Sequence, residues 1–173
     1  MSDETTTIDD EFSRPTPKAG LRKILDAKQP QADNDYTCSA YGFLRANGEA
    51  LNSLELRLPE NNSIWLPYRW LNVWQYNPSH GLLLRFSGDI IILVLVRGSN
   101  LDQPLNDGSL TLMRGGLQRQ RILYLRQMTP DEVRQVGGKG PTIHRIEVAE
   151  FTSKEAATEW QRTHAPGFVR EEK

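Results

Sequence analysis

Four arginines lie close together in the segment MRGGLQRQRILYLRQM, residues 113–128. They are Arg114, Arg119, Arg121 and Arg126. No acidic residue occurs between Asp107 and Asp131, so this is the strongest local concentration of positive charge in the chain. The planar guanidinium group binds phosphate, carboxylate and aromatic faces, which makes the segment a candidate site for nucleic acid or for an acidic protein segment. The alternative is that these side chains only solvate a helix and an edge strand.

A second candidate is the stretch IWLPYRWLNVWQY, residues 64–76, which holds three of the four tryptophans. In a strand over residues 71–76, Leu71 and Val73 lie on one face, whereas Trp74 and Tyr76 lie on the other. If the aliphatic face lines the core, the aromatic face is left for a helix of the same chain or for a partner.

The aromatic residues of this stretch are therefore divided between core and surface. We expect Trp65 and Tyr68 to be buried in the core, and the others to form a partly exposed interface. The candidate partner-binding residues of the whole chain are Trp70, Trp74, Tyr76, Arg114, Arg119 and Arg121.

No catalytic or metal-binding pattern stands out. The histidines, His80, His144 and His164, have no metal-ligand spacing and no neighbouring cysteine or carboxylate that would form a nucleophile with its base. The segment GGKGPT lacks the Lys-Ser or Lys-Thr pair of a phosphate-binding loop. We therefore predict no catalytic residue, no metal and no cofactor, and retain an enzyme whose site assembles only in space as an alternative.

Composition limits the choice of partner and compartment. The chain has 22 acidic and 21 basic residues, so no overall field attracts nucleic acid or an anionic membrane. Cys38 is the single cysteine, which excludes an internal disulfide and suits a reducing compartment. The N-terminal MSDETTTIDDEF has no signal-peptide pattern, and the longest apolar run, residues 90–96, is too short to span a bilayer. We predict a cytoplasmic protein.

Alternation of apolar and polar residues predicts a strand-rich domain. Residues 54–58 and 64–68 alternate on either side of a Pro-Glu-Asn-Asn turn and predict a hairpin with one buried face. A strand over residues 71–76, the strand LLLRF and the continuous apolar strand IIILVLV follow, separated by short turns, and predict an antiparallel meander. Further strands are predicted in RILYLRQ and IHRIEVAEF.

Three short helices are predicted after residue 100. The first is indicated by three apolar residues at helical spacing: Leu110, Met113 and Leu117. The segment TPDE, residues 129–132, is a capping box that begins a second helix, which ends at the Gly-Gly pair of residues 137–138. The third, TSKEAATEW, is capped by Thr152 and Glu155 and is expected to dock through Trp160.

The predicted fold class is α+β. The strand-rich meander forms a small barrel or half-barrel, with two or three short helices that include the capped C-terminal one. We assign residues 1–35 to a largely disordered tail, 36–164 to a single domain and 165–173 to a C-terminal tail. Within the first tail, Leu21, Ile24 and Leu25 could form one side of a short docking helix or a fraying turn.

The element order resembles the pleckstrin-homology superfold and its GRAM-type relatives. The resemblance rests on WLPYRWLNV before the meander and on the tryptophan-bearing helix EAATEW, and covers residues 41–163. It implies seven strands and one terminal helix, whereas this chain inserts one or two further helices between residues 100 and 140. Lipid-binding members typically place several basic residues around the first hairpin, where this chain has only Arg45 and Arg57, diluted by Glu49 and Glu55. The resemblance therefore implies protein binding rather than lipid binding.

Three functions remain compatible with the sequence. The first is a non-enzymatic protein-interaction or self-association module, whose partner is another protein or a homo-oligomer. The second is a nucleic-acid-binding protein that combines the arginines of residues 114–126 with exposed tryptophans as stacking surfaces. The third is an enzyme of unrecognised class. We predict the first, because the near-neutral net charge disfavours nucleic acid.

Overall fold

The computed structural model describes residues 37–44, 50–105 and 110–169. These residues belong to one compact unit, Asp33–Lys173. The tail predicted for residues 1–35, with the helix predicted around Leu21, Ile24 and Leu25, lies outside the described residues.

The described residues contain eight strands. In chain order they are β1 (Tyr41–Phe43), β2 (Ser53–Arg57), β3 (Ser63–Pro67), β4 (Leu71–Asn77), β5 (Gly81–Ser87), β6 (Ile91–Ser99), β7 (Ile122–Arg126) and β8 (Thr142–Phe151). They form two four-stranded sheets, sheet A with the order β1-β7-β2-β3 and sheet B with the order β4-β5-β6-β8. The prediction of a strand-rich α+β fold is confirmed at this level.

Sheet A contains the predicted hairpin. β2 and β3 pair antiparallel, with Leu54 opposite Leu66, and both of these leucines are buried. The polar and aromatic residues between them point to the other face, as alternation requires. β7 then joins the hairpin to β1, and it runs antiparallel to β1 but parallel to β2. Both pairings of β7 are long-range, and no local sequence signal predicts either of them.

Sheet B contains the predicted meander. β4, β5 and β6 pair antiparallel in chain order, and β8 adds to β6 in the same sense. The apolar run of β6 is buried on both faces, because Val94 and Val96 join the core shared with sheet A whereas Leu95 joins a second cluster on the opposite face. The expectation that this strand needs cover on both sides is confirmed.

The main core lies between the sheets. One apolar cluster contains Leu54 and Ile122 from sheet A together with Leu84 and Val94 from sheet B. Each sheet ends in two edge strands, so the described strands do not close into a barrel. The barrel prediction is therefore corrected to two open sheets that share a core.

Two α-helices occur in the described residues, α1 (Pro130–Val136) and α2 (Lys154–His164). The predicted capping box of α1 is present, since the Thr129 hydroxyl accepts from the backbone N–H of Glu132 and the Glu132 carboxylate accepts from that of Thr129. The cap of α2 is displaced by one residue from the prediction. Ser153, not Thr152, accepts from the backbone N–H of Ala156.

The helix predicted around Leu110, Met113 and Leu117 is wrong. The segment forms turns that end in a short 3-10 turn, Leu117–Arg119. Gly115 has a positive φ of 82°, and the backbone N–H of Leu117 donates to the Leu112 carbonyl five residues back, not four as in an α-helix. The apolar side chains still pack in or against the core. The helical spacing therefore predicted correctly that these residues are buried, but not the backbone conformation of the segment.

The packed region extends beyond α2. A 3-10 turn, Pro166–Phe168, follows the helix, and Ala165 and Phe168 are buried against Leu83 and Leu95 on the outer face of sheet B. The predicted domain boundary at residue 164 therefore stops short of a segment that packs on the sheet. None of the helices in the described residues is long and apolar enough to cross a membrane.

Candidate functional site

One continuous segment supplies an edge strand to each sheet. We call residues 63–77 the edge segment. It consists of β3, a 3-10 turn (Tyr68–Trp70) that links the sheets, and β4. Among the described residues, β3 pairs only with β2 and β4 pairs only with β5, so each of these strands ends its sheet. Arg69 is the only charged residue in the segment.

The exposed large hydrophobic side chains of the described residues all belong to the edge segment. They are Trp65, Val73 and Trp74, with relative exposures of 61%, 47% and 36%. The prediction that Trp65 lies in the core is therefore wrong. Trp65 is paired with Glu55 and stands between Ile64 and Leu66, which point to the core, so alternation along β3 places it outside. The alternation of Ile64, Trp65 and Leu66 is visible in the sequence and is the signal that places Trp65 outside.

β4 presents its aromatic residues to the core side of sheet B. Trp74 is paired with Leu84 and Tyr76 with Leu82, and both leucines are fully buried in the shared core. The sequence predicts the opposite arrangement, with the aliphatic residues on the core face and these aromatics outside. That prediction is wrong for Trp74 and Tyr76, which face the core, and for Val73, which does not. A shift of register between Leu71 and Val73 changes the alternation, and Val73 emerges on the outer face.

Trp74 remains partly exposed because β4 is the last strand of the sheet and nothing described covers its far side. Tyr76 is more enclosed, and burial together with a hydrogen bond to Asp102 raises the pKa of its phenol to about 12. Of these two predicted partner-binding residues, Trp74 is the one whose ring is accessible at the edge.

Trp70 lies in the linking turn and is half-buried. It packs against the shared core, and its ring lies against Gly88 in the turn between β5 and β6. The Arg69 guanidinium lies 5.7 Å from the centre of the Trp70 ring. This environment gives Trp70 a role in holding the linking turn against sheet B.

The linking turn is fixed from its other end by Tyr68. This side chain is 2% exposed, and its hydroxyl donates to the Ile122 carbonyl of β7 at 2.8 Å. The expectation that Tyr68 belongs to the core is confirmed. The bond ties the start of the turn to the centre of sheet A, and so sets where β4 begins.

We expect Tyr68→Phe to destabilise the chain by about 1–2 kcal/mol, because the buried Ile122 carbonyl loses its side-chain donor. Tyr41→Phe is the matched control. Tyr41 is fully buried too, but its hydroxyl has no hydrogen-bond partner among the described residues. Its loss should change stability by less than about 0.5 kcal/mol. Urea unfolding of both variants measures the difference, and equal losses would contradict the assigned role of the Tyr68 hydroxyl.

A groove of about 410 Å³ runs along the outer face of sheet B beside β4. Val73 and Gln75 of β4 form one wall, Leu83 and Arg85 of β5 lie beneath, and Phe168 closes the other side. The exposed side of Val73 is thus continuous with a mainly apolar depression bordered by one arginine. The sequence did not identify this groove, because the turn that closes it was assigned to a tail.

The arginine segment does not form one patch with the aromatic residues. Arg114 and Arg119 are exposed in the turns before β7, whereas the described cation-to-ring contacts involve Arg57 over Tyr124 at 3.7 Å and Arg69 over Trp70. Arg121, next to β7, is half-buried. A recess of about 380 Å³ between the two segments is lined by Gln120 and Arg69.

Arg126 has a structural role. Its guanidinium donates to the Ser39 carbonyl at 2.7 Å and to the Glu132 carboxylate at 2.9 Å. The backbone N–H of Thr129, with the Arg126 guanidinium, holds the pKa of Glu132 below its usual value. A guanidinium engaged in this way is not free to bind phosphate, so the nucleic-acid interpretation loses Arg126.

The described part of the chain offers no metal-binding cluster. No group of three or more His, Cys, Asp or Glu side chains in it could hold a metal ion. The Cys38 thiol donates to the Tyr41 carbonyl, and burial raises its pKa, which opposes a reactive thiolate. His164 stacks on Trp160, with ring centres 4.6 Å apart, and His80 contacts Phe168 edge to face. These two histidines therefore have packing roles.

Comparison with models of known protein families, with curated proteins and with solved structures gave no match to this chain. The resemblance to the pleckstrin-homology superfold stays a prediction.

Proposed function

We propose that this chain is a non-enzymatic protein-interaction module that binds its partner, another protein or a second copy, through the edge segment. The observation that carries the proposal is the coincidence of two properties in residues 63–77. This segment holds all the exposed large hydrophobic side chains of the described residues, and it also provides one unpaired strand edge in each sheet. A strand edge supplies main-chain hydrogen bonds to an added strand, and adjacent apolar side chains supply selectivity.

The chemistry of the segment suits a protein partner. Trp65 and Trp74 present large rings of the type that is enriched at the centres of protein interfaces. The segment has no acidic residue and a single arginine, Arg69. Binding would therefore remove water from only one charged side chain, which keeps the desolvation cost low. Natural edge strands that must stay unpaired usually carry lysine, proline or a covering loop. β4 contains neither lysine nor proline, and its register shift is confined to the start of the strand.

The test is affinity capture from a lysate of the source organism, with three tagged baits compared by quantitative mass spectrometry. Wild type is compared with the double variant Trp65→Lys/Trp74→Lys, which places a charge on each edge. We expect the double variant to lose retained proteins by about tenfold or more, as removal of interface tryptophans does elsewhere. Untagged copies of the chain count among the retained proteins.

The matched control is the double variant Arg114→Ala/Arg119→Ala, which changes two exposed residues outside the edge segment. It should retain what wild type retains. Equal retention by all three baits would contradict the proposal. If only the arginine variant lost the retained proteins, and if nucleic acid were recovered from the wild-type eluate, the nucleic-acid alternative would be favoured instead.

A further inference from the structure

The two edges of the segment differ in length and in their backbone donors. β3 has five residues and ends at Pro67, which cannot donate a backbone hydrogen bond. β4 has seven residues, and from Val73 to Asn77 it pairs residue by residue with β5 without a break in register. The irregular pairing is confined to its start, between Leu71 and Val73. The regular stretches of β3 and β4 are equally long, five residues each, but only the stretch 73–77 contains no proline and so keeps a backbone N–H at every residue.

We infer that β4 pairs antiparallel with β4 of a second copy of this chain, about a two-fold axis at Gln75. This inference rests on the proposed function and names the partner for one of its two edges. Sheet B then continues through the axis into an eight-stranded sheet, which is within the usual size of twisted open sheets.

The position of the axis follows from the regular stretch. Gln75 is the middle residue of 73–77, so an axis there pairs every residue of that stretch with one from the second copy. Trp74 then lies opposite Tyr76 of the second copy, and this aromatic pair occurs twice. Cross-strand aromatic pairs are among the more stabilising side-chain pairs in sheets. At the axis the two Gln75 side chains face each other, and a primary amide both donates and accepts hydrogen bonds.

Burial favours the same arrangement. Trp74 is the cross-strand neighbour of Leu84 on the inner face of sheet B. Leu84 is fully buried, whereas Trp74, on the last strand of the sheet, is 36% exposed. A further strand beside β4 extends this face and covers the ring. On the outer face the added strand covers Val73, the second most exposed large hydrophobic residue.

Charge favours a second copy over a charged peptide. Residues 71–77 include no ionisable residue other than Tyr76, whose pKa of about 12 keeps it neutral. Self-pairing therefore brings no like charges together, which is the usual obstacle to symmetric strand pairing. The second copy also offers an edge of identical length and twist. Because one short strand forms a small interface, we expect a dissociation constant on the order of 10 µM.

The first experiment is sedimentation velocity of the full chain from about 1 to 200 µM, which spans the expected dissociation constant. We expect wild type to change from monomer to dimer over this range. Trp74→Lys should weaken association by about 100-fold or more, because the two-fold brings two lysines into a desolvated interface. Val73→Lys, on the opposite face of the same strand, should weaken it as well, and circular dichroism confirms that both variants are folded.

The matched control is Trp65→Lys, which places the same charge on the more exposed tryptophan of the other edge. It should dimerise like wild type. Loss of the dimer in Trp65→Lys but not in Trp74→Lys would assign association to β3 and overturn the inference. A wild type that is monomeric throughout would overturn it too, while edge-dependent capture from the lysate would leave the proposed function standing.

The second experiment tests the register. In a Cys38→Ser background, Gln75→Cys should form a disulfide-linked dimer on mild oxidation, because cross-strand partners at the axis have Cβ atoms about 5 Å apart. Trp65→Cys in the same background is more exposed and should cross-link more slowly. If exposure alone governed the reaction, Trp65→Cys would be the faster of the two, and that result would contradict the proposed axis.

Discussion

Replacing Gly81 by alanine is expected to destabilise the chain by about 3 kcal/mol or more, the sum of a backbone and a steric penalty. Gly81 begins β5 with a φ of +100°, a conformation that side chains with a Cβ rarely adopt. The added Cβ would lie 2.2 Å from the carbonyl oxygen of Val96 in β6. That oxygen belongs to the backbone at the centre of sheet B, so the contact can be relieved only by moving one strand against the other.

Gly138→Ala separates the two penalties. Gly138 also has a positive φ, +77°, but an added Cβ there meets nothing within 4 Å. It should cost about 1 kcal/mol, the backbone part alone. Thermal and urea unfolding of both variants give the two values. Equal losses would mean that the close approach of β5 and β6 at Gly81 does not limit the side chain.

Phe168→Ala is expected to cost about 3 kcal/mol, at the lower end of values for buried phenylalanines. Phe168 is 7% exposed and belongs to the cluster on the outer face of sheet B. Its ring contacts His80 edge to face, and its carbonyl accepts from the Gln161 side chain at 3.0 Å. Truncation should therefore loosen the end of α2 and open one side of the groove beside β4.

The comparison variant is Trp160→Ala. The sequence predicts Trp160 as the anchor of the last helix, and the structure packs it, half-buried, against the same outer-face cluster as Phe168. Its ring also stacks on His164 and lies beside Phe151. Its truncation should cost about 1 kcal/mol, typical of a side chain that is not fully enclosed. Hydrogen exchange of α2 should rise more in Phe168→Ala than in Trp160→Ala. A larger rise in Trp160→Ala would show that Trp160, not Phe168, is the main anchor of α2.

The local elements of this fold were predictable because each has a short-range signal. The hairpin of β2 and β3, the meander of sheet B and the capping box at Thr129 follow from alternation, turn residues and one capping motif. The pairing of β2 with β7 was not predictable, because the sequence of neither strand identifies the other as its partner. The helix expected near Met113 failed because burial imposes apolar spacing on turns as well as on helices.

The candidate site was half predictable for similar reasons. The aromatic stretch is predicted to be an interface from its composition, and Trp74 is accessible there. The roles of Trp65 and Val73 were misassigned. Alternation along β3 would have placed Trp65 outside, but the register shift in β4 that exposes Val73 depends on pairing with β5, which no single strand reveals.

β7 lies late in the chain but between β1 and β2 in sheet A, so sheet A can be completed only after β7 has been made. Sheet B begins as a meander of consecutive strands with low contact order, whereas β1 pairs only with β7 among the described strands, as Tyr41 does with Leu125. On the ribosome, sheet A therefore stays a lone hairpin, marginal by itself, until the chain beyond Arg126 has emerged. During that interval we expect Leu84 and Phe86 of β5 to be incompletely covered, because Ile122 and Leu125 of β7 belong to the same core cluster, and the nascent chain to be most exposed to misassociation.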